Sequence, residues 1–124
     1  MKDTKMHHVL WVSRHPMTDG QMADLERVMG GPVELLCWKD TVRDVCQLES
    51  LLAHAEAAAV VLPPELLSRL MPLAAGKPVL QAVSGREPTG RMIRRPDGRE
   101  EAEFAFVHKG WQQILRMELE TRMV

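Results

Sequence analysis

Four short apolar runs recur along the first two thirds of the chain, with room for one helix between each run and the next. They are residues 8–13, 33–38, 57–62 and 78–83. A short run that is apolar throughout is typical of a strand buried on both faces of a parallel sheet. Because such strands alternate here with helical segments, the sequence predicts an α/β fold, β-α-β-α-β-α-β, with helices covering four parallel strands. The sequence does not decide between the strand orders 2-1-3-4 and 3-2-1-4.

Capping residues and prolines indicate where the three predicted helices begin. The starting signals are Thr18 with Gln21, Asp44 with Gln47, and the pair Pro63-Pro64. The first two are capping-box patterns, in which each side chain accepts a backbone hydrogen bond at the helix start. Proline is tolerated in the first turn of a helix, so Pro63-Pro64 fits the third start. Gly30-Gly31 and Pro72 are expected to end the first and third helices.

The last third of the chain departs from this alternation. Within residues 91–107 a Pro-Asp-Gly turn separates two strand-like arms, which predicts a β-hairpin. Residues 108–113 are interpreted as a turn or a short helical piece. Residues 115–123 alternate apolar and charged side chains, as a half-exposed strand does. We therefore expect an antiparallel β extension over 91–124, joined to the edge of a β/α core at 8–83.

Composition and charge are those of an ordinary globular chain, and we expect a single domain over 1–124. The net charge of −1 disfavours generic binding to duplex DNA, to RNA or to a membrane surface. No apolar run approaches the ~20 residues of a membrane helix, and the polar N-terminus is unlike a signal peptide. The two cysteines, Cys37 and Cys46, are expected to be buried thiols. We therefore expect a cytoplasmic location.

Polar residues follow each of the four predicted strands. The segments are Ser13-Arg14-His15-Pro16, Trp38-Lys39-Asp40-Thr41, Leu62-Pro63-Pro64-Glu65 and residues 84–91. In open α/β sheets, ligands bind beyond the carboxyl ends of the strands, where helix N-termini also favour anions. The sequence therefore predicts that these four segments form one binding edge of the sheet.

The side chains in these segments suit a phosphate or a nucleotide. Arg14, Lys39 and Arg86 supply positive charge, and Ser13 and Ser84 supply hydroxyl donors. No cluster of His, Cys, Asp and Glu has metal-ligand spacing, so we expect neither a metal nor another cofactor. The alternative interpretation is that these are solvated loops. In that case Arg14 pairs with an acid such as Asp40.

Residues 12–18, "VSRHPMT", resemble the start of the histidine phosphatase superfamily, in which a strand ends in Arg-His and the histidine is phosphorylated. Pro16 stands where that family usually has glycine. The family also needs a second catalytic histidine late in the chain, a role that only His108 offers here. This resemblance implies a phosphate-handling enzyme that uses His15.

A second resemblance extends over residues 8–91. Small CRISPR-associated proteins of type III systems begin with a strand running into Ser-Arg-His-Pro, as at 12–16. They carry a mid-chain strand ending in Leu-Pro before a helix, as at 61–67, and a polar loop similar to 83–91. The resemblance implies a Rossmann-like three-layer sandwich and a homodimer. It also implies binding of a cyclic oligoadenylate across the two-fold axis, and several members of that wider group are ring nucleases.

Cleavage of such a ring needs no metal when a ribose 2′-hydroxyl attacks its own phosphate. The resemblance makes His15 the general acid or base and Arg14 the residue that stabilises charge on the phosphate. The ligand-binding residues implied are Ser13, Lys39, Pro63, Ser84, Gly85 and Arg86. Binding without cleavage uses the same residues. A further alternative is a small α/β protein that assembles with partners and performs no chemistry.

Overall fold

The computed structural model describes residues 5–124, which form a mixed β-sheet with helices packed against it. The strands are β1 His7–Val12, β2 Val33–Trp38, β3 Ala57–Val60, β4 Val79–Arg94 and β5 Glu100–Gln113. The helices are α1 Asp19–Met29, α2 Glu49–Ala53 and α3 Pro64–Ala74. A short 3₁₀ helix, Val45–Leu48, leads directly into α2. The α/β alternation predicted from the sequence is confirmed.

The five strands lie side by side in the order β2-β1-β3-β4-β5. Strands β1 to β4 are parallel, and β5 runs antiparallel to β4. Of the two strand orders that the sequence left open, the structure has 2-1-3-4, with β5 added at the edge. From β1 the chain passes to β2 on one side, and from β2 it crosses to β3 on the other side of β1. The point between β1 and β3 is therefore a topological switch point.

Two hydrophobic clusters cover the two faces of the sheet. On one face, the 3₁₀ helix, α2 and α3 pack through Leu48, Leu52, Leu67 and Leu70 against strand residues that include Leu10. On the other face, α1 packs alone, with its one buried residue Leu25 against Val9, Trp11, Ala57, Ala59 and Leu80. Side chains alternate across a strand, so neighbours such as Leu10 and Trp11 enter opposite clusters.

The predicted helix starts agree with the structure, and one predicted end does not. Thr18 and Gln21 form the expected reciprocal capping box at the start of α1. Asp44 and Gln47 form another, although the segment they begin is 3₁₀ for its first turn. The prediction that Pro72 ends the third helix is wrong, because α3 continues to Ala74. Pro72 lacks an N–H to donate to the carbonyl four residues earlier, and the helix ends two residues after it.

The largest correction concerns residues 84–91, which are not a loop. They belong to β4, which continues to Arg94 although its neighbour β3 pairs only with Val79 and Leu80. Beyond that point β4 pairs with β5 alone. We call this two-stranded projection, residues 84–107, the arm. Its tip is the predicted Pro-Asp-Gly turn, in which the N–H of Gly98 donates to the carbonyl of Arg95 at 2.9 Å.

Three further predictions for the C-terminal part and the cysteines are corrected. Residues 108–113 belong to β5 and are neither a turn nor a helix. Residues 114–124 form no strand, so the expected edge strand at 115–123 is absent. That segment leaves the sheet at Ile114 and packs Met117 against the α3 face. Cys37 and Cys46 are free and exposed, Cys37 because β2 is an edge strand.

Candidate functional site

A cleft of about 280 Å³ opens at the carboxyl ends of β1, β2 and β3. We call it the strand-end cleft. The strand register places these three ends level, because Val12 pairs with both Trp38 and Val60. Its walls combine polar and apolar side chains: Val12, Ser13, Arg14, Asp40, Thr41, Val42, Val61, Leu62, Pro63 and Leu66. The strand-end rule therefore correctly brings Ser13, Arg14 and Pro63 together.

Hydrogen bonds fix the loop that follows β1. The N–H of Ser13 donates to the carbonyl of Trp38 at 3.2 Å, which ties the loop to the end of β2. The N–H of His15 donates to Ser13 Oγ at 3.1 Å. The indole Nε1 of Trp11 donates to the carbonyl of His15 at 2.9 Å. The hydroxyl of Ser13 keeps its own proton available as a donor, because its contact within the loop uses it as an acceptor.

Arg14 supplies the positive charge in the wall of the cleft, and Asp40 supplies a carboxylate. Its Nη2 donates to Thr41 Oγ1 in the loop after β2. Among residues 5–124, the arginines paired with carboxylates are Arg27, Arg69, Arg95, Arg99 and Arg116. Arg14 is not among them, so the alternative in which it pairs with Asp40 is not observed. An exposed guanidinium held by a neutral hydroxyl keeps its charge and its remaining donors for a ligand.

Two predicted site residues, His15 and Lys39, do not line the cleft. His15 is exposed, and its contacts to Trp11 and Ser13 use only its backbone. Lys39 is also exposed and is not part of the cleft wall. Both directly follow or lie close to the ends of strands that stop at the cleft, His15 after β1 and Lys39 after β2.

The structure does not bring Ser84, Gly85 and Arg86 into the strand-end cleft. All three lie on the arm, where they pair with His108, Val107 and Phe106 of β5. Ser84 lines a separate cleft of about 530 Å³ between the arm and the start of α1. The guanidinium of Arg86 lies 4.6 Å from the centre of the Phe104 ring. The residues of the predicted binding edge therefore lie in two places. Ser13, Arg14 and Pro63 line the strand-end cleft, and residues 84–86 lie on the arm.

His108 connects β5 to α1. Its Nε2 lies 2.9 Å from Asp24 Oδ2, and its ring packs against Trp111. Hydrogen bonds from His108 and then from Arg27 lower the pKa of Asp24 below its ordinary value. The histidine phosphatase hypothesis needs His108 to act together with His15. With Nε2 bound to Asp24 and Nδ1 buried, His108 serves as a structural link.

Asp40 and Thr41 belong to the second predicted strand-end segment, but the sequence predicts no role in ligand binding for either of them and indicates Asp40 only as a possible ion-pair partner of Arg14. Both follow β2 and line the cleft. In nucleotide-binding α/β sheets, an acidic residue in this region of the chain accepts hydrogen bonds from ribose hydroxyls. The position of Asp40 two residues after β2 is the signal that could have identified it.

The sequence matches no protein-family model, and no curated protein or solved structure matches it. Among the helices formed by residues 5–124, none is long and apolar enough to span a membrane. Within the same residues, no group of three His, Cys, Asp or Glu side chains is arranged to hold a metal ion.

Proposed function

We propose that the strand-end cleft binds the phosphate of a nucleotide. The observation that carries this proposal is the state of Arg14, a cation at the switch point of the sheet that is hydrogen-bonded to Thr41 and paired with no acid of the described chain. Switch points between parallel strands are the usual ligand sites of open α/β sheets. A guanidinium with free N–H groups is well suited to phosphate, which it can bind through two parallel hydrogen bonds.

The rest of the cleft suits the other parts of a nucleotide. The carboxylate of Asp40 can accept hydrogen bonds from ribose hydroxyls, and Ser13 can donate to a phosphate oxygen. Val42, Leu62 and Pro63 provide apolar walls for a base or a ribose face. A free inorganic anion would use Arg14 and Ser13, whereas a nucleotide also uses the carboxylate of Asp40 and the apolar walls. This combination favours a nucleotide over a simple anion.

The ligand class that we propose is a cyclic oligoadenylate, bound by a homodimer with a Rossmann-like fold in the cytoplasm. A cleft of about 280 Å³ holds only part of such a ring. The remainder would extend to Lys39 and to Ser84, Gly85 and Arg86 on the arm of the same or the second protomer. A two-fold axis supplies each contact twice, which matches the repeated phosphates of the ring.

Binding is tested with purified protein and labelled cyclic tetra- and hexa-adenylate. We expect Arg14→Ala to weaken binding by roughly 10- to 100-fold, because a hydrogen bond to a charged group is worth about 1.5–3 kcal/mol. Arg69→Ala is the matched control, since Arg69 is an exposed arginine already paired with Glu65. Equal affinities of the wild type and Arg14→Ala would refute the proposed phosphate contact.

Cleavage is a separate proposal, in which the ribose 2′ oxygen attacks the adjacent phosphorus and the P–O5′ bond breaks, which leaves a 2′,3′-cyclic phosphate and a 5′-hydroxyl. His15 acts in this step as the base that takes the proton of the 2′-hydroxyl or as the acid that protonates the leaving 5′ oxygen. The reaction is followed by chromatography with EDTA present. We expect His15→Ala to abolish cleavage and to retain ligand binding, because the backbone of His15, and not its ring, holds the loop. Cleavage by this variant at the wild-type rate would exclude the role. No binding of either ring at micromolar protein would leave the partner-assembly alternative.

A further inference from the structure

The C-terminal segment, residues 115–123, has the side-chain pattern of a strand and no strand beside it. Leu115, Met117 and Leu119 alternate with charged residues. Among the backbone hydrogen bonds formed within residues 5–124, none uses an N–H or a carbonyl of this segment. Leu115 is 82% exposed and Leu119 is 59% exposed, whereas Met117 packs against the α3 face. The segment therefore has free backbone groups and two uncovered leucines.

A cleft lies between this segment and α3. Its volume is about 570 Å³, and residues 115–120 form one of its sides. Ser68, Met71 and Pro72 of α3 form the other side. Two paired strands alone are only marginally stable in water, and they become stable when they pack against a helix. The cleft provides that support, so a second strand paired with the segment would bury apolar side chains against α3.

Four charged side chains determine which strand fits beside the segment. They are Arg116, Glu118, Glu120 and Arg122. In an antiparallel pair, residues directly opposite each other share a face, and like charges placed there are destabilising. If the partner is a second copy of the same segment, a two-fold axis at position 116, 118, 119, 120 or 122 brings like charges opposite each other. An axis at Met117 or at Thr121 brings only opposite charges together.

The structure favours the axis at Met117, because Met117 already lies against the α3 face beside the cleft. This axis places Leu115 opposite Leu119 of the second copy, so the exposed leucines cover each other. It also places Arg116 opposite Glu118 of the second copy, and the two-fold symmetry supplies this ion pair twice. We propose that the chain forms a homodimer in which the two C-terminal segments pair as antiparallel strands about Met117 and pack against α3 of both copies.

Sedimentation equilibrium of the full chain measures the dissociation constant of the dimer. Glu118→Arg places arginines opposite each other at two symmetric positions and should weaken the dimer roughly 5- to 30-fold. The exchange Arg116→Glu with Glu118→Arg restores opposite charges and should recover the wild-type constant. Glu100→Arg is the matched control, because it makes the same change of charge at an exposed residue of the arm and should leave the constant unchanged.

Cysteine cross-linking tests the register in a chain that carries Cys37→Ser and Cys46→Ser, since both natural thiols are free and exposed. Met117→Cys should form a disulfide between copies, because directly opposite residues lie about 4.5–5.5 Å apart, within the range of a disulfide. Thr121→Cys should form none, because the same residue of the second copy then lies eight positions away, roughly 26 Å. A non-reducing gel separates the two results.

Three results would overturn this dimer. They are a monomer at every concentration up to about 100 μM, a dissociation constant that Glu118→Arg leaves unchanged, and cross-linking through Thr121→Cys with none through Met117→Cys. Circular dichroism of each variant shows whether it is folded, and the charge variants lie at exposed positions. The cleft beside α3 and the strand-end cleft share no residue, so these results are independent of ligand binding at Arg14.

Discussion

Leu25→Ala should reveal how α1 is attached to the sheet. Leu25 is the one fully buried residue of α1, and it packs on Val9, Trp11 and the alanines at 57 and 59. Replacing a buried leucine by alanine costs about 2–5 kcal/mol, and the cost is highest where the surroundings cannot close the cavity. The cost of Leu25→Ala within that range depends on whether neighbouring side chains and elements can move into the cavity.

Little around Leu25 is free to close the cavity. The sheet beneath it is held from its other face by α2 and α3, and alanine side chains are too short to fill the space. The helix above is fixed by two hydrogen bonds from β5. Trp111 Nε1 donates to the carbonyl of Gln21 at 3.0 Å, and His108 binds Asp24. We therefore expect a loss of about 3–5 kcal/mol and a fall in Tm of roughly 10 °C or more.

Urea titration followed by tryptophan fluorescence and by far-UV circular dichroism measures this loss. Trp11 and Trp111 lie in the same cluster as Leu25, so fluorescence reports directly on it. Val28→Ala is the control on the same helix, since Val28 is 41% exposed. It should change stability by less than about 1 kcal/mol. A loss below about 1 kcal/mol in Leu25→Ala, with unchanged m-value, would refute the account of α1 as a rigidly held helix.

Two further predictions concern the same helix. Thr18→Ala removes the capping box of α1 and should lower stability by about 1 kcal/mol, seen as a lower urea midpoint; an unchanged midpoint would mean that the cap contributes nothing. Asp24→Asn should destabilise the protein at neutral pH. Because His108 and Arg27 lower the pKa of Asp24 below its ordinary value of 3.8, the carboxylate contributes fully above that value and less as the pH falls through its folded pKa. Stabilities measured from neutral pH into acid should therefore converge, and a constant gap would contradict this linkage.

The strands and helices up to Leu80 could be predicted because each repeats a pattern that burial imposes. Parallel strands covered on both faces must be apolar throughout, and the amphipathic helices between them carry recognisable starting signals. Thr18 and Asp44 each form the capping box that their spacing predicts. These features are local, so neighbouring residues in the sequence contain enough information to define them.

The arm could not be predicted in the same way, because its β4 half contains residues that usually break strands. Gly85, Pro88 and Gly90 indicate a loop. The strand persists because β5 pairs with it, and the ladder shifts register between Pro88 and Met92. That irregularity accommodates Gly90 at a φ of 85°. Here pairing with a distant segment overrides the local preference.

The prediction for the C-terminal segment failed for the opposite reason. Residues 115–123 have the alternating pattern of a strand, but no neighbouring strand of the described chain pairs with them. A strand also needs an edge to which it can bond. The N–H of Ile114 donates to the carbonyl of Val79 at 2.8 Å, and after it the chain leaves the sheet. Met117 then packs against the cluster that contains Leu67 and Leu70. Of the apolar side chains at 115–123, Met117 packs there, whereas Leu115, Leu119 and Met123 remain exposed.

The candidate site follows from where each strand stops, and that depends on the neighbours of the strand. β1, β2 and β3 end level with one another, so the residues after them form one cleft around Arg14. β4 has β5 beside it and continues, which carries Arg86 away from that cleft and places it against Phe104. One feature, the length of the β4–β5 ladder, thus limits the cleft to three strands. It also leaves Phe104 and Phe106 exposed on the arm, beyond the reach of the helices that cover the rest of the sheet.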